Sequence, residues 1–266
     1  SNVIASPGFG TIVSSSGAAF TWSENSRQNC LTPYANDPVT DGTGEAIYLR
    51  DEESGAVWGA TPAPLPRRRE ASRWVIRHAA GVTRYHHATA GLEQELAVFV
   101  DPEDPVKLAL LTLTNTSTVS RRLNAFGYVE WRLGPPRAGE HRFVVTELDE
   151  ATHAILARNA YNGEFAGRIA FWHTTGAVRA HTCDRTEFIG RNRTLARPAA
   201  LARERREGRS GAGLDPCAAL QVSIEIPAGE SRRVAFVLGQ APSAGTASAF
   251  AARYSSLAEV DAALAR

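Results

Sequence analysis

Two polar stretches contain most of the side chains that could bind or transform a polar ligand. The first runs from Trp22 to Pro38 and combines aromatic rings, amides, an arginine and two acids without strand-like alternation. The second runs from Asp184 to Asn192 and is equally dense in charged and amide groups. Loops this rich in polar groups either cap strands or line a site. The residues alone leave these two interpretations equally open.

Carboxylates are the natural catalysts for glycosidic bonds, because one of them must protonate the leaving oxygen. The candidates are Asp37, Glu130, Glu147, Asp149, Asp184 and Glu187. Most Asp and Glu side chains of any domain are simply solvated. The sequence therefore does not show which of these carboxylates, if any, form a pair.

Other chemical motifs are missing from the sequence. The adjacent His86 and His87 would point to opposite faces of a strand and cannot chelate one metal together. No HExxH, CxxC, Walker or Gly-x-Ser-x-Gly motif occurs. The three cysteines are Cys30, Cys183 and Cys217. Their number and spacing fit neither a disulfide framework nor a zinc pattern. We predict no metal site and no cofactor.

The charge balance argues against two classes of partner. Lys and Arg number 29 and Asp and Glu 28, so the chain has no global field for nucleic acid or an anionic membrane. The basic clusters at Arg67–Arg69 and Arg203–Arg209 are typical of solvated loops. No apolar run is long enough to span a bilayer. Because the chain also contains no Met, we interpret it as a piece of a longer protein.

The elements that must position these side chains are mainly strands. Short period-two runs alternate with Gly, Pro, Asn and Asp breaks, which is typical of an all-β fold. Residues 106–113 are apolar on both faces and predict a central strand. Residues 220–226 and 234–238 flank a Pro-Ala-Gly-Glu turn and predict a hairpin. Helical spacing occurs only near the end, at Phe250, Tyr254 and Leu257.

The segment 123–133 predicts a strand with two different faces. One face would carry Leu123, Ala125, Gly127, Val129, Trp131 and Leu133, and the other Asn124, Phe126, Tyr128, Glu130 and Arg132. The second face mixes aromatic and hydrogen-bonding groups, which suits a sugar. A half-exposed sheet face with one salt bridge is the favoured alternative.

A resemblance covers nearly the whole chain in order. The matching segments are 2–10, 25–27, 31–33, 36–38, 45–51, 77–78, 157–159, 165–168, 184–192 and 211–221, including Asn36-Asp37-Pro38 and Asp184-Arg185-Thr186-Glu187-Phe188-Ile189-Gly190-Arg191-Asn192. They resemble the N-terminal sandwich of cyclic β-1,2-glucan synthases and of the phosphorylases in glycoside hydrolase family 94, formerly glycosyltransferase family 36.

The resemblance implies an all-β, galactose-mutarotase-like β-supersandwich at residues 1–245. Residues 246–266 would form a helical linker toward an (α/α)6 barrel that this chain lacks. In the family the general-acid Asp lies in that barrel, and inorganic phosphate attacks the anomeric carbon in phosphorylase members. We therefore expect no catalytic residue here and a fragment inactive alone, although the full enzyme could use phosphate.

The resemblance also implies site residues and partners. Asp184, Arg185 and Glu187 would approach the acceptor-side sugar, with Arg185 as a hydroxyl or phosphate donor. Arg27, Asn36 and Asp37 are weaker candidates for the same rim. Alternatively, Arg185 pairs with Asp184 or Glu187 and only holds the loop. The expected partners are the chain's own barrel, a β-glucan or gluco-oligosaccharide, and a second copy in a homodimer.

Three functional hypotheses follow. The first is a non-catalytic sandwich module of a β-glucan synthase or phosphorylase, on the cytoplasmic side of a larger inner-membrane protein. The second is a free-standing mutarotase-like epimerase or a polysaccharide lyase. For an epimerase, His78, His173 or His181 would pair with Glu130 or Glu147. The third is a dimerisation or interaction module without sugar contact.

Overall fold

The computed structural model describes residues 1–37, 39–66, 73–136, 140–202 and 208–266. Pro38, the Arg67–Arg69 cluster and residues 203–207 of the second basic cluster lie outside these ranges. No helix in the described part of the chain is both long and apolar enough to cross a membrane.

The described elements are mostly strands. In chain order they are β1 (Asn2–Ser6), β2 (Phe9–Val13), β3 (Ala19–Ser23), β4 (Glu45–Asp51), β5 (Val57–Gly59), β6 (Val75–Ala79), β7 (Val82–Thr89), β8 (Leu92–Val100), β9 (Val106–Asn115), β10 (Arg121–Glu130), β11 (Val144–Leu148), β12 (Ile155–Asn159), β13 (Ile169–Thr174), β14 (Val178–Asp184), β15 (Pro216–Ile226) and β16 (Ser231–Ala241). The α-helices are α1 (Arg185–Ile189), α2 (Ala244–Arg253) and α3 (Leu257–Ala265), and short 3-10 segments cover Glu140–Phe143, Gly163–Phe165 and Ala199–Ala202.

These strands form three antiparallel sheets. The orders are β1-β2-β3, then β14-β15-β10-β4-β5, and finally β11-β12-β13-β16-β9-β8-β7-β6. Inward-facing residues of all three sheets form the main core, including Leu111, Leu123, Leu220 and Phe236. The predicted central strand at 106–113 is confirmed, because β9 lies inside the eight-stranded sheet and is apolar on both faces.

Both outer sheet faces are also covered. Helices α2 and α3 pack on the eight-stranded sheet through residues such as Ala247, Tyr254 and Val260. The segment after β14 covers the five-stranded sheet with Phe188 and Leu201. The second face of segment 123–133 is therefore buried at Asn124, Phe126 and Tyr128, where neither half-exposure nor a sugar contact is possible. Its end is partly exposed at Glu130 and Arg132, and Glu130 forms a salt bridge with Arg185. Phe126 and Tyr128 are fully buried beneath the segment that follows β14, and Phe188 of that segment stacks on Tyr128.

The predicted hairpin at 220–238 is wrong. Both strands exist, but β15 pairs with β10 and β14, whereas β16 pairs with β9 and β13. The turn at 227–230 carries the chain from one sheet to the other, so Leu220 and Phe236 meet in the core between the sheets. Alternating hydrophobicity shows which residues of a strand point inward, but it does not show which strand is the neighbour.

Candidate functional site

Long connections gather at one end of the molecule, which we call the loop end. It consists of the described residues of segments 24–44, 131–143, 160–168 and 185–215. Their packing is mutual, because the Arg132 amide donates to the Leu31 carbonyl and the Asn159 side chain donates to the Leu133 carbonyl. All the candidate binding residues, Arg27, Asn36, Asp37, Asp184, Arg185 and Glu187, lie at or beside this end.

Arg185 is the first residue of α1 and is held by two carboxylates, Glu130 at the end of β10 and Asp215 directly before β15. Its Nε donates to Glu130 Oε2 at 3.0 Å, and its Nη1 donates to Asp215 Oδ2 at 3.0 Å. The expectation that Arg185 pairs with Asp184 or Glu187 is thus wrong. Those neighbours face other groups, whereas Glu130 and Asp215 lie at the ends of adjacent strands that meet beneath α1.

The guanidinium of Arg185 remains partly open. Its side chain is 40% exposed, and within the described residues its Nη2 makes no hydrogen bond. Burial alone would lower the pKa of Arg185, but the carboxylates of Glu130 and Asp215 raise it above its ordinary value. The side chain is therefore a fixed cation with one edge directed away from its two partners.

Asp184 and Glu187 hold the segment that carries Arg185. Asp184 is buried and caps α1 by accepting from the Thr186 amide at 2.9 Å. Glu187 accepts from the Thr182 hydroxyl at 2.5 Å. Cap and carboxylate bonds of this kind stabilise a helix start. Both residues therefore have structural partners on their own side of the segment.

Arg27 lies on a different loop, next to a cleft that sequence reasoning missed. The loop is fixed by buried amides, since Asn29 donates to Gln240 at 2.7 Å and accepts from Asn162 at 3.1 Å. The cleft has a volume of about 290 Å³, and its lining includes Gln28 and Tyr161. Arg27 itself is exposed.

The aromatic wall of this cleft is Tyr161. The side chain is 76% exposed and rests on Phe143, with ring centroids 4.6 Å apart. No periodicity marks Tyr161, because it lies in the turn after β12. Its only sequence signal is an aromatic residue inside a polar turn flanked by segments of the family resemblance.

Asn36 and Asp37 line a third location, a cleft of about 190 Å³ beside the three-stranded sheet. Asn36 accepts a hydrogen bond from the Tyr34 hydroxyl at 3.0 Å. Asp37 is exposed, and bonds from the Thr40 side chain and from the Val39 and Thr40 amides lower its pKa. The predicted single rim is therefore divided among three places, around Arg185, around Gln28 and around Tyr34.

Two of the three histidines named for an epimerase, His78 and His173, are bound to other groups away from Glu130. His173 is buried against Ser255 of the C-terminal helical region, and burial lowers its pKa to about 4. His78 bonds to Thr83 at the edge of the eight-stranded sheet, while Glu130 is bound to Arg185 at the loop end. In the described ranges no group of three or more His, Cys, Asp or Glu residues could hold a metal ion.

Known proteins with similar sequences act on sugars. The chain is 40% identical to cyclic β-(1,2)-glucan synthase NdvB of Rhizobium meliloti strain 1021, over 90% of this chain and 8% of that protein. It is 25% identical to N,N'-diacetylchitobiose phosphorylase of Vibrio furnissii, over 99% of this chain and 33% of that protein. The chain thus spans from under a tenth to about a third of these relatives.

Solved structures share the fold at low sequence identity. A bacterial glucoamylase in complex with acarbose gives a TM-score of 0.57 at 8% identity, over 94% of this chain and 33% of that one. A polysaccharide lyase gives 0.53 at 10% identity, over 92% of this chain and 33% of that one.

The family model described as the glycosyl hydrolase 94 supersandwich domain matches residues 1–257. This match confirms the predicted all-β supersandwich fold, and it agrees with the three-sheet architecture and the C-terminal helices. The chain belongs to the supersandwich domain family of glycosyl hydrolase family 94.

Proposed function

We propose that this chain is a non-catalytic module of a larger enzyme that acts on β-linked glucose polymers or oligosaccharides. Its loop end would dock on the catalytic domain and shape the acceptor-side sugar site. The observation that carries this proposal is Arg185, which two carboxylates hold rigidly while its Nη2 stays available. The family match and the names of the relatives supply the class of substrate.

The geometry around Arg185 suits recognition of a hydroxyl oxygen better than that of a phosphate oxygen. A guanidinium fixed at two of its nitrogens has lost most of its rotamer freedom before the ligand arrives, so little entropy remains to be lost on binding. Glu130 and Asp215 together more than balance its positive charge. A neutral sugar hydroxyl can therefore accept from Nη2 without a counter-ion, whereas an anion would also meet the two carboxylates.

The remaining parts of the proposal concern the rest of the enzyme. The catalytic domain would be an (α/α)6 barrel that supplies the general acid, and inorganic phosphate would be a reactant in phosphorylase-type relatives. The module would lie on the cytoplasmic side of an inner-membrane protein and could pair with a second copy. These statements rest on the family and on the small share of each relative that this chain spans.

Replacing Arg185 in the larger enzyme tests the proposal. We expect Arg185→Ala to raise the KM for the acceptor sugar by about ten- to a hundredfold, since a hydrogen bond to a charged group contributes roughly 1.5–3 kcal/mol. The KM for the donor should stay unchanged. Arg233→Ala is the matched control, because Arg233 also pairs with a carboxylate but lies against α3, where it contacts Asp261.

An unchanged acceptor KM in a folded Arg185→Ala enzyme would contradict the proposal and favour an interaction module without sugar contact. Arg185→Lys separates charge from geometry. We expect it to remain impaired, because an ammonium cannot bond to Glu130 and Asp215 while presenting a third fixed donor.

A further inference from the structure

The outward face of the three-stranded sheet is aromatic. Because strand residues alternate between faces, Phe20 and Trp22 of β3 lie on the same side. Trp22 is paired with Gly10, and Phe20 with Ile12. A Cβ atom on Gly10 would lie 2.4 Å from the Trp22 ring, so a glycine is needed for the indole to lie flat on the backbone of β2. Any side chain at this position would displace the ring.

Three aromatic rings continue across this surface. Phe20 and Trp22 have centroids 5.5 Å apart at 29°, and Phe20 and Tyr34 have centroids 4.6 Å apart at 33°. Phe20 is buried between its neighbours, whereas Tyr34 is 45% exposed. We call Phe20, Trp22 and Tyr34 the aromatic face. Its outermost ring is supported from below and is available to a ligand above.

Polar groups surround the exposed ring. The Tyr34 hydroxyl donates to Asn36 Oδ1, which fixes the amide, and within the described residues its Nδ2 donates to no partner. Asp41 accepts bonds from Ser14 and Ser16 through Oδ2, and in the same ranges Oδ1 has no hydrogen-bond partner. Both groups line the cleft beside Tyr34. The cleft therefore offers one fixed donor and one fixed acceptor next to an aromatic ring.

This combination matches the two faces of a pyranose. The axial C–H groups of a β-glucosyl unit form an apolar surface that packs on a ring, while its equatorial hydroxyls need donors and acceptors at the edge. The cleft of about 190 Å³ is smaller than the roughly 300–1,000 Å³ of pockets that enclose a ligand. It suits one sugar unit of a longer chain whose neighbouring units stay in solvent.

We propose that the aromatic face and its cleft form a second carbohydrate-binding surface, which holds one unit of a β-linked gluco-oligosaccharide. The residues that line the cleft are Ser1, residues of β2, of β3 and of the turn between them, and residues of segment 33–42, and none comes from the segments that surround Arg185. The class of sugar rests on the proposed function. The surface itself is separate and would anchor a glucan chain beside the acceptor site.

Oligosaccharide titration of the chain and its variants tests this surface. Linear β-1,2-gluco-oligosaccharides serve as the probe and maltodextrins as the comparison, with binding followed by calorimetry or affinity electrophoresis. We expect Tyr34→Ala to weaken binding by roughly tenfold or more, the size of effect typical of a ring at the centre of a contact. Tyr34→Phe should stay within about threefold of the parent chain, because the ring remains.

Val39→Ala is the matched control, since Val39 is an exposed apolar residue of the same loop that does not line the cleft. It should bind like the parent chain. Thermal unfolding of each variant excludes misfolding, and Tyr34 is exposed enough for its truncation to be tolerated. Asn36→Ala is a second test of the cleft, because it should weaken sugar binding while the aromatic rings stay in place.

Equal affinity of Tyr34→Ala and the parent chain would overturn the inference, as would no detectable binding of any glucan at millimolar concentration. A parent chain that self-associates through Tyr34 while Tyr34→Ala leaves sugar affinity unchanged would also overturn it, because the face would then be a protein contact. None of these results bears on the acceptor KM of Arg185→Ala, so failure here and failure of the proposed function remain distinguishable.

Discussion

The two ends of the sandwich differ in what their polar side chains do. At the end opposite the loop end, which we call the turn end, segments 52–56, 90–91, 116–120, 175–177 and 227–230 connect strands by short turns. Asn115 is fully buried there and donates to the Val119 and Ile226 carbonyls, while its Oδ1 accepts from Ser117. Polar groups at this end close the turns.

At the loop end some polar groups keep part of their hydrogen-bonding capacity unused. Nη2 of Arg185, Nδ2 of Asn36 and Oδ1 of Asp41 have no hydrogen-bond partner among the described residues, although each side chain is fixed by another bond. This difference between the two ends shows that the type of a side chain does not by itself identify a binding site. A residue becomes a candidate when its neighbours fix it and still leave one edge available.

The largest expected effect lies beneath the loop end, at the ion pair of Lys107 and Glu45. The Lys107 side chain is buried and the Glu45 side chain is only 10% exposed; the two lie 2.7 Å apart, and Glu45 also accepts from Thr21 and Thr32. Lys107→Met would leave Glu45 buried without its counter-ion and lower the free energy of unfolding by about 3–5 kcal/mol. Denaturant unfolding measures this change.

The double variant Glu45→Gln with Lys107→Met is the control for that prediction. Removing both charges should recover part of the lost stability, because the cost arises from an unpaired charge rather than from lost packing. A double variant that is less stable than the single variant would contradict this explanation, because Glu45 would then stabilise the fold without its counter-ion, through Thr21 and Thr32.

The next effect is expected at the turn end. Asn115→Ala removes a side chain that donates to the buried Ile226 carbonyl and to the part-buried Val119 carbonyl and accepts from a turn amide. We expect the free energy of unfolding to fall by about 2 kcal/mol, since each buried polar group left unsatisfied costs roughly 1–3 kcal/mol. Sugar binding by the folded variant should not change. A change in sugar affinity would remove the distinction between the two ends.

The smallest effect concerns the acid stability of the turn end. Burial raises the pKa of Asp51, but bonds from the Ser54 amide and hydroxyl and from Arg121 lower it by a larger amount, so the pKa lies below its ordinary value. A carboxyl with a lowered folded pKa contributes stability above its unfolded pKa, about 3.9, and loses it as the pH falls through the folded pKa. Thermal unfolding between about pH 7 and pH 2 should therefore show stability falling below about pH 4.

Asp51→Asn should be less stable than the parent at neutral pH and should lose less stability on acidification. Glu225→Gln, a change at an exposed carboxylate, should follow the parent curve. If the stability of Asp51→Asn fell with pH as that of the parent does, the Asp51–Arg121 pair would not contribute to the loss of stability at acid pH.

Local patterns in the sequence predicted much of the fold but not the neighbours of each element. Period-two alternation located β9, β15 and β16, yet the predicted pairing of β15 with β16 was wrong. A turn that carries the chain from one sheet to the other has the same sequence pattern as the turn of a hairpin. The outer face of β10 was misread for a similar reason. Its cover comes from Phe188 and Leu201, which are distant in the sequence.

The candidate site was only partly visible for the same physical reason. Arg185 was found through the family resemblance, but its partners Glu130 and Asp215 lie at the ends of other strands and no spacing rule connects them. Tyr161 follows a strand as a single exposed aromatic residue, which carries no periodic signal. Tyr34 and Asn36 are close in the sequence, but only the contact between the Tyr34 and Phe20 rings shows that they belong to one surface.

We propose that sugar contacts the loop end and not the turn end. Backbone amide chemical shifts of this chain, followed during titration with β-1,2-gluco-oligosaccharides, test it most directly. We expect shifts at Tyr34, Asn36 and Arg185 and none around Asn115 or Asp51. Shifts that cluster at the turn end, or no shifts at millimolar sugar, would contradict it.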